Sequence, residues 1–445
     1  MPVRSSYHFG YIVLISLISA LGGYLFGFDF AVISGALPFL KTQFGLNAYW
    51  EGFTTGSLAL GCIAGCLLAG RVSQLYGRKP ALLLAGFIFI FSSLAMAFAP
   101  NLTFFISARF AAGISVGMAS MLSPMYIAEV SPPLIRGRMV SIYQLTIVIG
   151  ILMTNLVNYS LRNYGDDAWR WMFGLGAIPA GIFTAGVLFL PESPRWLMQT
   201  GRSEKAKLVL ASLGDQQYAS ETFNSISSSV ISESKVKSFS IFKKAYLPAL
   251  VAGIGLAVFQ QFCGINVVFN YTTTIFESIG FNKDDQLLQT IFIGAVNLVF
   301  TFLAMSLVDR VGRKPLLLTG SIGLAILYIA IASALQVQSS YASYLLLTAI
   351  AMYATTLAPV IWIVISEMFP NKIRAAATSV AVICLWAAYF ILTFTFPILV
   401  LWMGGISETF YVYAGICIIG AVFIWFKTRE TTGKTLEQMD TMFAH

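Results

Sequence analysis

The sequence predicts an all-α membrane protein with twelve transmembrane helices in two pseudo-symmetric six-helix bundles. Three observations predict it. The 445 residues are 58% hydrophobic and only 10% charged, against about 25% charged in a soluble domain, so there is too little charge to cover a water-facing surface. Apolar runs of about 20 residues, each able to cross ~30 Å of hydrocarbon, recur along the whole length. Polar motifs of the first half return in the same order in the second. The ten-residue alternation of a membrane β-barrel is not seen.

The spans begin near residues 9, 51, 79, 103, 138, 170, 245, 287, 315, 341, 373 and 409. The first lacks a small-residue cleavage site and runs on through Asp29, so it is not a cleaved signal peptide. Cys62, Cys66, Cys263, Cys384 and Cys417 all fall inside spans without metal-ligand spacing and read as apolar packing residues.

The net charge of +8 is explained by topology and is no nucleic-acid footprint. Lys and Arg cluster at Arg71/Arg78/Lys79, Arg136/Arg138, Arg195 to Lys244, Arg310/Arg313/Lys314, Lys372/Arg374 and Lys427/Arg429/Lys434. The opposite loops hold little beyond Lys41, Arg162, Arg170 and Lys283. Positive loops stay in the cytoplasm, so both termini are expected there.

The domains expected are 1–190, a first bundle; 191–244, a cytoplasmic linker with short amphipathic helices; 245–427, a second bundle; and 428–445, a cytoplasmic tail. In the linker, GRSEKAKLVLASLG reads as an amphipathic helix, followed by the Ser-rich SISSSVISESKVKS. Between the halves, YGRKPALLL at 76–84 recurs as VGRKPLLLT at 311–319, and AEVSPPLIRGR at 128–138 as SEMFPNKIRAA at 366–376. Glu129 thus maps to Glu367, Arg136 to Arg374 and Glu192 to Glu430, each shifted by 238. Such repeats mark transporters that alternate access by rocking one half against the other around a central site.

GRKP after spans 2 and 8, PESPRWL after span 6, QQFCGIN in span 7 and a C-terminal GKTLE cover nearly the whole chain. On these motifs the chain resembles the sugar porter family of the major facilitator superfamily. Within it, the chain is most similar to the bacterial proton-coupled sugar symporters of the xylose-transporter type. The resemblance implies import of a monosaccharide, hexose or pentose, coupled to a proton by alternating access. The short loops, including the one after span 1, point to a bacterial inner-membrane protein, and it is expected to work as a monomer. No cofactor or metal is expected, and the only histidines, His8 and His445, lie near the termini. With no nucleophile–base or metal set, an enzyme is not expected. A passive sugar uniporter and, more distantly, a sugar-sensing receptor on the same fold stand as alternatives.

A neutral sugar asks for amides, which both donate and accept, and for aromatic rings. Gln144, Gln260, Gln261, Asn266, Asn270 and Asn297 are polar residues inside spans, and Trp362 and Trp386 lie in spans 10 and 11. Read alone, such amides also serve to hold membrane helices together. The resemblance assigns Gln144, Gln260, Gln261, Asn266, Asn297 and Trp362 to sugar contacts, with Phe26 and Trp386 lining the cavity. Gln260 and Asn266, six apart, diverge by about 120° on an unbroken helix, so a bend at Gly264 is expected. Three positions depart: Leu385 stands where the xylose type has Gln, Ala358 replaces a Gly one turn before Trp362, and Asn270 sits where a gating Tyr is common. The sugar is therefore not carried over.

Asp29 is an acid within the first apolar stretch, and a charge at membrane depth costs several kcal/mol unless paired, protonated or wetted. It either ends its helix at the interface or serves as a proton site. Arg109, placed inside span 4 by Asn101 and Pro100, is its expected partner, and the resemblance matches both. Burial raises a carboxyl pKa by up to ~3–5 units. A guanidinium at ~4 Å opposes this by about 4 kcal/mol, so the two influences nearly offset. Arg78, Lys79, Arg313 and Lys314 either serve topology alone or also form ion pairs with Glu129, Glu192, Glu367 and Glu430; the resemblance favours a cytoplasmic gating network of these glutamates with Arg78, Arg136, Arg313 and Arg374. Gln74, where an Asp is common, and Arg429, where a Pro is usual, depart from that pattern.

Overall fold

The computed structural model describes residues 6–234, 246–369, 373–428 and 430. Apolar runs become helices because hydrocarbon offers their backbone N–H and C=O groups no outside partner. The first half contains α1 (Phe9–Phe44), α2 (Ala48–Tyr76), α3 (Arg78–Ala97), α4 (Leu102–Val130), α5 (Arg136–Leu161), α6 (Ala168–Gly174) and α7 (Ala177–Phe189). The linker contributes α8 (Pro194–Gln199), α9 (Ser203–Leu213) and α10 (Gln216–Ser234). The second half contains α11 (Leu247–Phe262), α12 (Ile265–Asn270), α13 (Thr272–Glu277), α14 (Lys283–Val311) and α15 (Arg313–Gln336). It ends with α16 (Tyr341–Thr355), α17 (Leu357–Met368), α18 (Arg374–Met403) and α19 (Ile406–Lys427). Among the described residues, twelve helical stretches are long and apolar enough to span a membrane, and they start within a few residues of the predicted positions.

Three spans are broken. The sixth is α6 plus α7 and the tenth is α16 plus α17. The seventh breaks where expected: Gly264 has φ +86°, and a Cβ there would run into the Tyr413 ring. Only glycine takes up that backbone without strain. The helix breaks again at Tyr271, so α11, α12 and α13 are three separate helical segments.

In the linker, α9 falls on the predicted amphipathic segment, while α10 extends helix into the Ser-rich stretch. One connection is not foreseen by the sequence. Ser6 N donates to Asp215 Oδ2 at 2.7 Å, Asp215 N to Ser6 O at 2.9 Å, and His8 N to Leu213 O at 2.8 Å. The Tyr7 and Tyr218 rings lie beside them, 6.3 Å apart and tilted by 56°. The N–H groups of Tyr218 and Ser6 hold the Asp215 carboxyl below the usual carboxylate range.

The chain forms two compact units. One is Met1–Asp29, Gly61–Gly150 and Phe173–Ser238; the other is Phe30–Leu60, Ile151–Met172 and Phe239–His445. In the first, α2 and α4 approach closely: a Cβ at Gly61, Gly65 or Gly117 would strike the facing backbone. Small residues drive such packing in lipid. In the second unit, the C-terminal end of α1, the N-terminal end of α2 and the C-terminal end of α5 pack on the second-half helices. Thr273 Oγ1 donates to Ser34 O at 2.9 Å and Asn155 Nδ2 to Thr290 O at 2.7 Å. Tyr49 and Phe53 meet Phe390 and Phe394 edge-on, and Arg162 pairs with Asp284 at 3.1 Å.

Candidate functional site

Asp29 lies inside a helix: α1 continues to Phe44, fifteen residues beyond it. The reading of Asp29 as an interfacial helix end is thereby excluded. Asn101 caps α4, accepting from Phe104 N at 2.9 Å, which sets Arg109 two turns into the span. The two side chains meet, with Arg109 Nη1 donating to Asp29 Oδ1 at 3.1 Å. Both are fully buried, at 0% and 1% exposure. The Phe173 ring lies 5.7 Å from the guanidinium carbon. The pair rests on one hydrogen bond, since Asp29 Oδ2, Arg109 Nε and Arg109 Nη2 are buried with no partner among the described residues. A guanidinium and a carboxylate can form two parallel bonds; here half of that capacity is unused.

Of the other predicted ionic residues, the structure brings Arg78, Glu129 and Glu192 together. Arg78 grips Glu129 with two bonds, Nε to Oε2 at 2.9 Å and Nη2 to Oε1 at 2.8 Å, and Nη1 donates to Ser73 O at 3.1 Å. Glu192 accepts from Arg78 N at 2.9 Å, Lys79 N at 3.2 Å and Ser193 N at 2.7 Å. Burial nevertheless pushes its carboxyl above the usual range. Lys79 Nζ closes the turn on Leu188 O at 2.7 Å.

The second GRKP turn repeats this architecture. Arg313 N and Lys314 N donate to Glu430 at 3.0 Å, and Lys314 Nζ to Trp425 O at 2.8 Å. Gly77 and Gly312 carry matching positive φ, +108° and +98°. Arg136 is solvent-exposed and donates to Ser131 O at 3.4 Å, apart from the Arg78–Glu129 pair. The side chains of Glu367 and Arg374, like Arg429 and GKTLE, lie outside the described residues.

The amides of the seventh span form a chain. Asn266 Nδ2 donates to Gln261 Oε1, and Asn270 Nδ2 to Asn266 O at 2.7 Å. Asn270 Oδ1 accepts from Tyr389 OH at 3.0 Å. Asn270 is fully buried and engaged at both ends of its amide. Gln260 Nε2 donates to Ala358 O at 3.3 Å, while its buried Oε1 has no partner among the described residues. Asn297 is buried on α14 and Trp386 on α18, and Trp362 on α17 is 40% exposed. Gln144 on α5 and Phe26 on α1 are half-buried in the first unit.

Sequence reasoning missed Tyr389 and Glu51. The signal for Tyr389 is its place three residues after Trp386, one turn along the same helix face. Glu51 is buried and pairs with Lys41 at 2.9 Å; an acid opening an apolar span is the signal there.

The family model described as Sugar (and other) transporter matches residues 15–443. The chain is 36% identical to the D-xylose-proton symporter of Escherichia coli K12, over 99% of this chain and 97% of that protein. It is 35% identical to the arabinose-proton symporter of Bacillus subtilis, over 100% of this chain and 97% of that one. The inward-open structure of the xylose transporter XylE from E. coli superposes with a TM-score of 0.85 at 35% identity, covering 97% of this chain and 100% of the other. With its repeated GRKP turns and broken seventh span, this chain therefore belongs to the sugar porters of the major facilitator superfamily.

Proposed function

We propose that this protein imports a monosaccharide together with a proton. The observation that carries the coupling is the buried Asp29–Arg109 pair held by a single hydrogen bond. A buried pair of full strength would be costly to part. One with three unmet polar atoms is closer in free energy to its parted form. Asp29 takes a proton from outside, loosens from Arg109, and lets the sugar-loaded protein open inward. Release of sugar and proton restores the pair. One proton moving through 100 mV supplies ~2.3 kcal/mol, which sustains a roughly 50-fold sugar gradient.

The sugar is bound by Gln260, Gln261, Asn266 and Asn297, with Trp362 and Trp386 offering ring faces. The buried, unpartnered Gln260 Oε1 supports this, as an acceptor that a sugar hydroxyl satisfies. Gln144 and Phe26 are assigned to the same task by sequence resemblance alone. Residues 1–190 and 245–427 act as the moving bundles and 191–244 as the linker between them. The tail 428–445 and both termini are cytoplasmic, in a bacterial inner membrane. Packing of α1, α2 and α5 on α13, α14 and α18 supports a shut outer gate. The Arg78–Glu129–Glu192 cluster and its Arg313–Glu430 counterpart, with Arg136, Glu367 and Arg374, act at the inner gate. The relatives named as xylose and arabinose proton symporters favour a pentose.

Proteoliposomes with an imposed inward pH gradient test this. D-xylose, L-arabinose or D-glucose should accumulate inside, and sugar addition should alkalinise the outer medium. Sugar entry that stops at equal concentrations on both sides would leave a passive uniporter.

A further inference from the structure

We infer that Tyr389 sets which sugar the amide array accepts, by fixing Asn270 and through it the rest of the array. This rests on the sugar-binding reading above. Tyr389 is 2% exposed, and its hydroxyl is the donor to Asn270 Oδ1 at 3.0 Å. With its oxygen held there, the Asn270 amide can direct Nδ2 only to Asn266 O, at 2.7 Å. That bond steadies the turn from which Asn266 reaches Gln261 Oε1. A phenol hydroxyl on α18 therefore decides the orientation of amides on α11 and α12.

The consequence for recognition is chemical. An amide reads a hydroxyl by presenting a donor at one position and an acceptor at another, and rotation exchanges the two. In this arrangement Gln261 Oε1 is taken by Asn266, which leaves Gln261 Nε2 as donor and Asn266 Oδ1 as acceptor for a ligand. Gln260 Oε1 stands beside them in sequence as a further acceptor. Without the Tyr389 hydroxyl, Asn270 is free to turn, and the donor–acceptor order of the array is no longer enforced. Sugars that differ only in the direction of one hydroxyl are the ligands that register such a change.

The Tyr389 ring has a second fixed neighbour. It lies 5.8 Å from Phe30, which also meets Phe269 at 5.7 Å. Phe30 follows Asp29 directly in the chain. Tyr389→Phe keeps this ring contact and deletes only the hydroxyl, so the variant separates positioning of the amides from packing.

The experiment uses purified full-length protein in detergent and two pairs of C4 epimers, D-xylose with L-arabinose and D-glucose with D-galactose. Binding is read by quenching of tryptophan fluorescence. Tyr389→Phe should change the affinity ratio within at least one pair by roughly 3- to 10-fold, the range expected for one hydrogen bond. Asn270→Leu should change the same ratio in the same direction. The double variant should match the single ones, because residues acting as one unit do not add. A melting curve within a few degrees of wild type verifies the fold of each variant, and Asn270→Leu serves if Tyr389→Phe fails it. Unchanged ratios in folded variants, or effects that add in the double variant, overturn the inference while leaving sugar binding intact. Wild-type protein that binds none of the four sugars overturns both this inference and the reading beneath it.

Discussion

Two buried Arg–carboxylate pairs in the first unit are built to opposite standards. Arg78 and Glu129 meet through two bonds, and a third ties Arg78 to Ser73 O. Arg109 and Asp29 meet through one, leaving Asp29 Oδ2, Arg109 Nε and Arg109 Nη2 unmet. Burial is similar, at 8% and 10% exposure in the first pair and 0% and 1% in the second. Depth therefore does not explain the contrast; bonding does. Each unmet buried polar group costs about 1–3 kcal/mol. The Arg78 pair thus sits near its optimum, while the Arg109 pair is held well short of one. An element that stays shut through much of a cycle needs the first design, and a carboxylate that must release its partner to take a proton needs the second.

This contrast can be broken at several points. The largest effect is expected from Glu129→Ala, which leaves the buried Arg78 guanidinium without the carboxylate that takes two of its hydrogen bonds. It should cost ~3–5 kcal/mol of stability, seen as a clear fall in the melting temperature of detergent-purified protein. Arg78→Lys keeps the charge but cannot supply the two-pronged grip. A loss of about 1–3 kcal/mol in the same melting assay is expected, and an unchanged melting point would mean the second bond contributes nothing. Phe173→Leu removes the ring beside the Arg109 guanidinium. It should cost only ~0.5–2 kcal/mol, but it should shift the external pH at which proton-driven uptake is half-maximal. A pH profile identical to wild type would show that the pair is insensitive to its surroundings.

Much of this was legible in the sequence, for physical reasons. Apolar length fixes the spans, and an acid and an arginine stranded in apolar helices have few partners besides each other. Gly264 announced the break because Gln260 and Asn266 could not share a face without it. Other features were hidden because they depend on packing rather than composition. The single-bonded geometry of Asp29–Arg109 depends on side-chain positions no motif encodes. Asn270 reads as a ligand contact by its place in the sequence, yet its amide is engaged by Tyr389 from another helix. The clasp of Ser6 and His8 on the α9–α10 turn uses backbone groups, which any sequence supplies. The helix of α10 was masked by serines, whose low propensity was outweighed by apolar residues such as Tyr218, Phe223, Ile226 and Val230 near one face.

In the proposed cycle, protonation of Asp29 couples sugar movement to the proton gradient. The direct measurement is radiolabelled sugar in proteoliposomes carrying wild type or Asp29→Asn, under an inward pH gradient and under counterflow. Asp29→Asn should lose accumulation above the external concentration and retain exchange of internal for external sugar. Accumulation by Asp29→Asn at the wild-type level would contradict it.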